Sequence, residues 1–255
     1  MMENKTILIG GCSYSESQKK FRFVKNETLF HNHAEYDPKK NWYPWTDMLD
    51  DEYGSTNTII NEAKGSSGQG MIVSKLTKKL FELDFKVDLV IAQWSNPSRM
   101  FTDKESDIVE AVRTQGLEML SVKGIDIFTK ESKERMDMVG YDITFNSLNQ
   151  IYLFKNLLES KGIKYKFFWG WQQNINYEKY RFILDEIYSK DFMLFVPEDE
   201  NPKREGGGMH DYANMILGSN NTEVEDGHPN TESHRIFYND IIKNKILKGH
   251  ENNFI

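Results

Sequence analysis

The chain has 255 residues, long for one ordinary domain and short for two, so a single α/β domain spanning 1–255 with loop insertions is the expectation. Phe, Ile, Leu and Val number 64, about a quarter of the sequence, which sets it apart from disordered chains. A net charge of −7 leaves no electrostatic case for a nucleic-acid partner, and the lone Cys12 excludes an intramolecular disulfide and a cysteine-cluster zinc site.

The N-terminal residues run from Met1 to Lys5 straight into Thr6-Ile7-Leu8-Ile9, an apolar run too short for a signal-peptide core. No apolar segment reaches the ~20 residues that span a bilayer. A soluble protein made without export through a cleaved signal, and without a membrane partner, is expected. Thr6 to Ile9 reads as a buried strand meeting a turn at Gly10-Gly11. Residues 17–44 form a polar and aromatic surface excursion, with Trp42 and Trp45 pinning its far end. Trp45 to Tyr53 is a short helix stopped by Gly54, and Asn57 to Asn61 a second strand. A loop, Gly65-Ser66-Ser67-Gly68-Gln69-Gly70, then precedes an amphipathic helix from Met71 to Leu83 with Ile72, Leu76, Leu80 and Leu83 at helical spacing.

Val87 to Trp94 gives the strongest buried-strand signal, since Leu89-Val90-Ile91-Ala92 is continuous and apolar. Residues 103–141 carry a helical pattern with charged interruptions, inside a loop insertion near 96–145. Leu148 to Leu158 form a helix ended by Gly162, Ile163 to Trp171 a strand, Tyr177 to Tyr188 a helix, and Phe192 to Val196 a short apolar run. A polar, glycine-rich loop from Pro197 to Gly208 opens a third insertion near 197–225, and the last helix spans Thr231 to Leu247. Strands alternating with helices predict a three-layer α/β/α sandwich around a mainly parallel five-stranded sheet.

Four short blocks sit at predicted strand ends or helix starts. They are Gly10-Gly11-Cys12-Ser13-Tyr14-Ser15, Asn61-Glu62-Ala63-Lys64-Gly65-Ser66-Ser67, Gln93-Trp94-Ser95-Asn96-Pro97, and Glu225-Asp226-Gly227-His228-Pro229-Asn230. Ser13 follows a strand through two glycines, whose freedom to take positive φ would present its hydroxyl at the sheet's carboxyl edge. A serine hydroxyl needs a base to remove its proton as it attacks. His228 is the candidate base, with Asp226 placed to orient the imidazole and stabilise its charged form. If Ser13 faces a cleft, Cys12 points the other way and packs as a small hydrophobe.

Taken in order, the blocks resemble those of the SGNH (GDSL-type) hydrolases, most closely the branch whose first block reads Gly-Cys-Ser, and they span residues 10–230. The resemblance implies an SGNH/flavodoxin-like fold and a serine esterase with no cofactor and no metal. Its substrate would be a small acyl, foremost acetyl, ester on a carbohydrate or similar polar molecule. An acyltransferase using the same residues, or a binding module retaining the fold, are the alternatives. It assigns the nucleophile to Ser13, the base to His228 and the acid to Asp226, with Glu225 as fallback because that residue sits three places before the histidine. It gives the oxyanion to the backbone N–H groups of Ser13 and Gly65 and to a side chain of the third block. There Ser95 stands where the family has asparagine, with Asn96 one place later.

Three further groups are read as structural. His31-Asn32-His33 with Glu35 and Asp37 lacks a third spaced ligand and reads as solvated rather than as a metal site. His210-Asp211 reads as surface. Core packing is the default for Phe167, Phe168, Trp169 and Trp171, with Trp169 or Trp171 as possible pocket walls.

Overall fold

The computed structural model describes residues 4–18, 42–65, 67–97, 142–173, 175–195, 207–218, 222–224 and 227–248. The helical pattern of 103–141, the His31/His33 group and the two carboxylates Glu225 and Asp226 lie outside these residues. Five strands, β1 (Thr6–Gly10), β2 (Thr58–Asn61), β3 (Leu89–Trp94), β4 (Lys164–Trp169) and β5 (Phe192–Met193), form one sheet in the order β2-β1-β3-β4-β5. Among the described residues every pairing in this sheet is parallel.

The sheet is buried on both faces, which explains the unbroken apolar runs. Leu8, Val90, Ala92, Trp94, Phe167 and Trp169 face one core, closed by helices α2 (Gln69–Glu82), α3 (Ile143–Ser160) and α4 (Tyr177–Ile187). Ile7, Ile9, Leu89, Ile91 and Phe168 face the other, closed by α1 (Trp45–Tyr53) and the C-terminal helical stretch. That stretch starts as α6 (Thr231–Phe237) and continues as a π-helix over Tyr238–Leu247. The apolar pairs Phe237-Tyr238, Ile241-Ile242 and Ile246-Leu247 recur every four to five residues, and all are buried. A wider helix keeps such a repeat on one face. Among the described residues no helix is long and apolar enough to cross a membrane.

Three expectations need correction. Within 197–225 the chain forms a helix, α5 (Met209–Leu217), where a loop is predicted. Its first residue follows Gly208, whose missing side chain lets the turn lie directly on the end of β4; the His210 N–H donates to the Gly170 carbonyl at 2.9 Å. His210 is therefore buried, not a surface residue. Trp169 is fully buried, its indole N–H donating to the Tyr188 hydroxyl at 3.2 Å, and lines no pocket.

His234 on α6 is also fully buried. Its Nδ1 accepts the Trp45 backbone N–H at 3.4 Å. Burial, reinforced by His228 and His210, pushes its pKa down to about 3. The folded state therefore excludes a proton that the unfolded chain binds below its ordinary value of 6.5. Stability from this group is present above pH 6.5 and is lost as pH falls toward 3. Urea unfolding between pH 6.5 and 4.5 should show stability falling with pH, and His234→Asn, which keeps an acceptor for Trp45, should lessen that fall.

Candidate active site

In the strand order observed, the connections from β1 and β3 run to opposite sides of the sheet, and the crevice beyond their carboxyl ends is where α/β folds place ligands. The first block leaves β1 at this switch point. Gly10 and Gly11 are not in the positive-φ region, contrary to expectation; among the described glycines that conformation belongs to Gly162, Gly218 and Gly227. What they supply is space. A Cβ on Gly10 would lie 2.6 Å from Leu76 of α2, and one on Gly11 2.9 Å from the Ser15 Cβ. The turn is tight enough for the Ser15 N–H to donate to the Cys12 carbonyl at 3.0 Å.

Behind this turn lies a buried polar chain. The Trp45 indole N–H donates to Ser15 Oγ at 3.1 Å, and Ser15 Oγ donates to Gln93 Oε1 at 3.0 Å. Gln93 Nε2 in turn lies 3.3 Å from Cys12 Sγ. Cys12 is fully buried, as expected for the neighbour of an outward-facing serine. Gln93→Leu would strand the Ser15 hydroxyl and should cost about 1–3 kcal/mol, read as a lowered denaturation midpoint.

The second block comes alongside because pairing of the first two strands continues past their ends. The Glu62 N–H donates to the Ile9 carbonyl at 2.8 Å and the Lys64 N–H to the Gly11 carbonyl at 3.1 Å. This carries Gly65 to Ser13, and a Cβ on Gly65 would stand 3.8 Å from the Ser13 Cβ. The Gly65 N–H donates to the Glu16 carboxylate at 2.8 Å. In the third block, Ser95 is fully buried and its hydroxyl donates to the Ser67 carbonyl at 2.7 Å. A hydroxyl has one proton, so Ser95 is not positioned as an oxyanion donor, contrary to one of the two expectations for this block. Asn96 is half-buried at the same strand end.

The described part of the last block, Gly227 to Asn230, is tied back to Val224. The Val224 N–H donates to the His228 carbonyl at 2.8 Å, and the Gly227 N–H to the Val224 carbonyl at 3.0 Å, with Gly227 at φ +81°. Asn230 caps α6 through the Ser233 N–H at 2.9 Å, and Thr231 Oγ1 accepts the Tyr43 N–H at 2.9 Å. These bonds fix His228 over the first block. Its Nε2 lies 2.9 Å from Ser13 Oγ across 215 residues of sequence. With the imidazole proton on Nδ1, the Ser13 hydroxyl donates to Nε2, the arrangement a general base requires.

The aromatic surroundings of His228 are not foreseen by the sequence reading. Trp42 stacks on the imidazole with ring centroids 4.6 Å apart and planes 7° from parallel. Tyr14 meets it edge-on at 5.5 Å, and also contacts Trp171 at 5.2 Å and His210 at 6.3 Å. An aromatic residue just ahead of a helix start is the signal available for Trp42, and it reads equally well as an anchor.

No family model and no curated protein matches the chain. Solved structures similar to it include the psychrotrophic esterase EstA of Pseudoalteromonas sp., inhibited by monoethylphosphonate, at 12% identity and TM-score 0.48, covering 98% of this chain and 100% of that one. A Parabacteroides merdae protein titled a putative GDSL-like lipase is similar at 12% identity and TM-score 0.42, over 94% of both chains. A Bacteroides fragilis protein titled a putative acylhydrolase is similar at 9% identity and TM-score 0.32, over 98% of this chain and 87% of that one.

Proposed function

We propose that the chain is a serine ester hydrolase of the SGNH type, a single domain acting on a small acyl ester, foremost acetyl, of a carbohydrate or similar polar molecule. The observation that carries this reading is the 2.9 Å contact between Ser13 Oγ and His228 Nε2, made at a sheet switch point by residues from opposite ends of the chain. Ser13 attacks the ester carbonyl while His228 takes its proton. The imidazolium then returns that proton to the leaving alcohol, and water, activated by the same ring, clears the acyl-enzyme. Asp226, or Glu225 in its place, orients the ring. The backbone N–H groups of Ser13 and Gly65, with Asn96, receive the oxyanion, each donor being worth about 3–4 kcal/mol of barrier.

The stacked Trp42 supports the same chemistry, because an indole face stabilises the imidazolium that forms during attack. Trp42→Ala should lower kcat/KM about tenfold and Trp42→Phe by less, in a p-nitrophenyl acetate assay. Trp171, half-buried beside Tyr14, is the aromatic residue we assign to stacking on a sugar ring. Assaying p-nitrophenyl acetate and acetylated sugars with and without acceptor alcohols tests the function. Acceptor-independent release of acetate is the expected result, whereas turnover that requires the acceptor would make the protein an acyltransferase.

A further inference from the structure

Glu16 holds the amide of Gly65, the residue that stands beside Ser13, and the mechanism above gives it no task. Its carboxylate accepts the Gly65 N–H at 2.8 Å, the distance at which that amide would hold an oxyanion. The position is imposed by the scaffold. On one side the Ser15 carbonyl accepts from Thr46 Oγ1 at 3.2 Å and from Asn61 Nδ2 at 2.9 Å. On the other, Asp47 accepts from the Ser17 hydroxyl at 2.5 Å and from the Gln18 N–H at 3.0 Å. Among the described residues no lysine or arginine pairs with Glu16.

Two negative oxygens cannot share one amide proton. Glu16 must therefore leave Gly65 as the tetrahedral intermediate forms, and its tether keeps the carboxylate beside the substrate. An ester bearing a cation near the scissile bond offers the displaced carboxylate a new partner. One bearing an anion meets repulsion and leaves the carboxylate on Gly65. Resting on the esterase reading, we propose that Glu16 is the charge-selecting residue of this site, favouring esters that carry a cation near the scissile bond and rejecting those that carry an anion there.

The test compares acetylcholine, ethyl acetate and O-acetylglycolate, three acetyl esters differing in alcohol charge, by acetate release with the wild type, Glu16→Gln and Ser13→Ala. Gln keeps an acceptor for the Gly65 N–H and removes the charge. In Glu16→Gln, kcat/KM should fall about tenfold for acetylcholine and rise about tenfold for O-acetylglycolate, with ethyl acetate changing least. An unchanged cation-to-anion preference in a variant with wild-type circular dichroism and Ser13-dependent turnover would overturn the inference while leaving the esterase reading intact. Absence of Ser13-dependent turnover on all three esters, and on the p-nitrophenyl and sugar acetates, would overturn both.

Discussion

Ser13→Ala should reduce kcat/KM on an ester substrate by about a million-fold and leave the thermal midpoint within a degree or two of the wild type. The Ser13 side chain is half-buried and contributes a single hydroxyl to the cleft, so the change removes chemistry and little packing. His228→Ala should fall to a similar level, because a serine without its base and a base without its serine are equally idle. The double variant should be no worse than either single one, since groups that act as a unit lose their joint effect once. Steady-state rates corrected for spontaneous hydrolysis, paired with thermal melts of each variant, check all three values. Multiplying losses in the double variant would mean that Ser13 and His228 act independently, against the 2.9 Å contact between them.

The largest expected effect on stability is at Gly208. A Cβ there would stand 2.5 Å from the Trp169 carbonyl oxygen, 2.5 Å from the Trp171 nitrogen and 2.8 Å from the Gly170 carbonyl carbon. All three are backbone atoms, so no rotamer change relieves the overlap. The start of α5 would have to move off β4, breaking the bonds from the Phe195 N–H to the Gly207 carbonyl and from the His210 N–H to the Gly170 carbonyl. Gly208→Ala should cost about 3 kcal/mol or more, a fall of roughly 6–12 °C in Tm for a chain of this size. His210 packs edge-on against Tyr14, which packs against His228, so the survivors should also lose activity. Differential scanning calorimetry and residual turnover below Tm read the two consequences separately.

The sheet is legible in the sequence because each of its three central strands lies between two cores, and burial on both faces writes itself as an uninterrupted apolar run such as Leu89-Val90-Ile91-Ala92. The pairing of Ser13 with His228 is legible for another reason: each belongs to a short block whose turn chemistry is local. What escapes is what depends on convergence. Helix α5 is short and follows a glycine-rich loop, and its placement is decided by the contact of Gly208 with Gly170 rather than by periodicity. Trp42 looks like a loop anchor until His228 arrives from the far end of the chain, and Glu16, which follows the first block, carries no signal of its own until the second strand brings Gly65 to it. The Ser95 correction has the same origin, since its hydroxyl is claimed by the Ser67 carbonyl from a different loop.

The most direct test of the central claim is to treat the protein with a fluorophosphonate and locate the adduct by peptide mass spectrometry. The account predicts stoichiometric modification at Ser13, lost on denaturation and strongly slowed in His228→Gln. Modification of another residue, or a Ser13 that stays unlabelled in the folded protein, would contradict it.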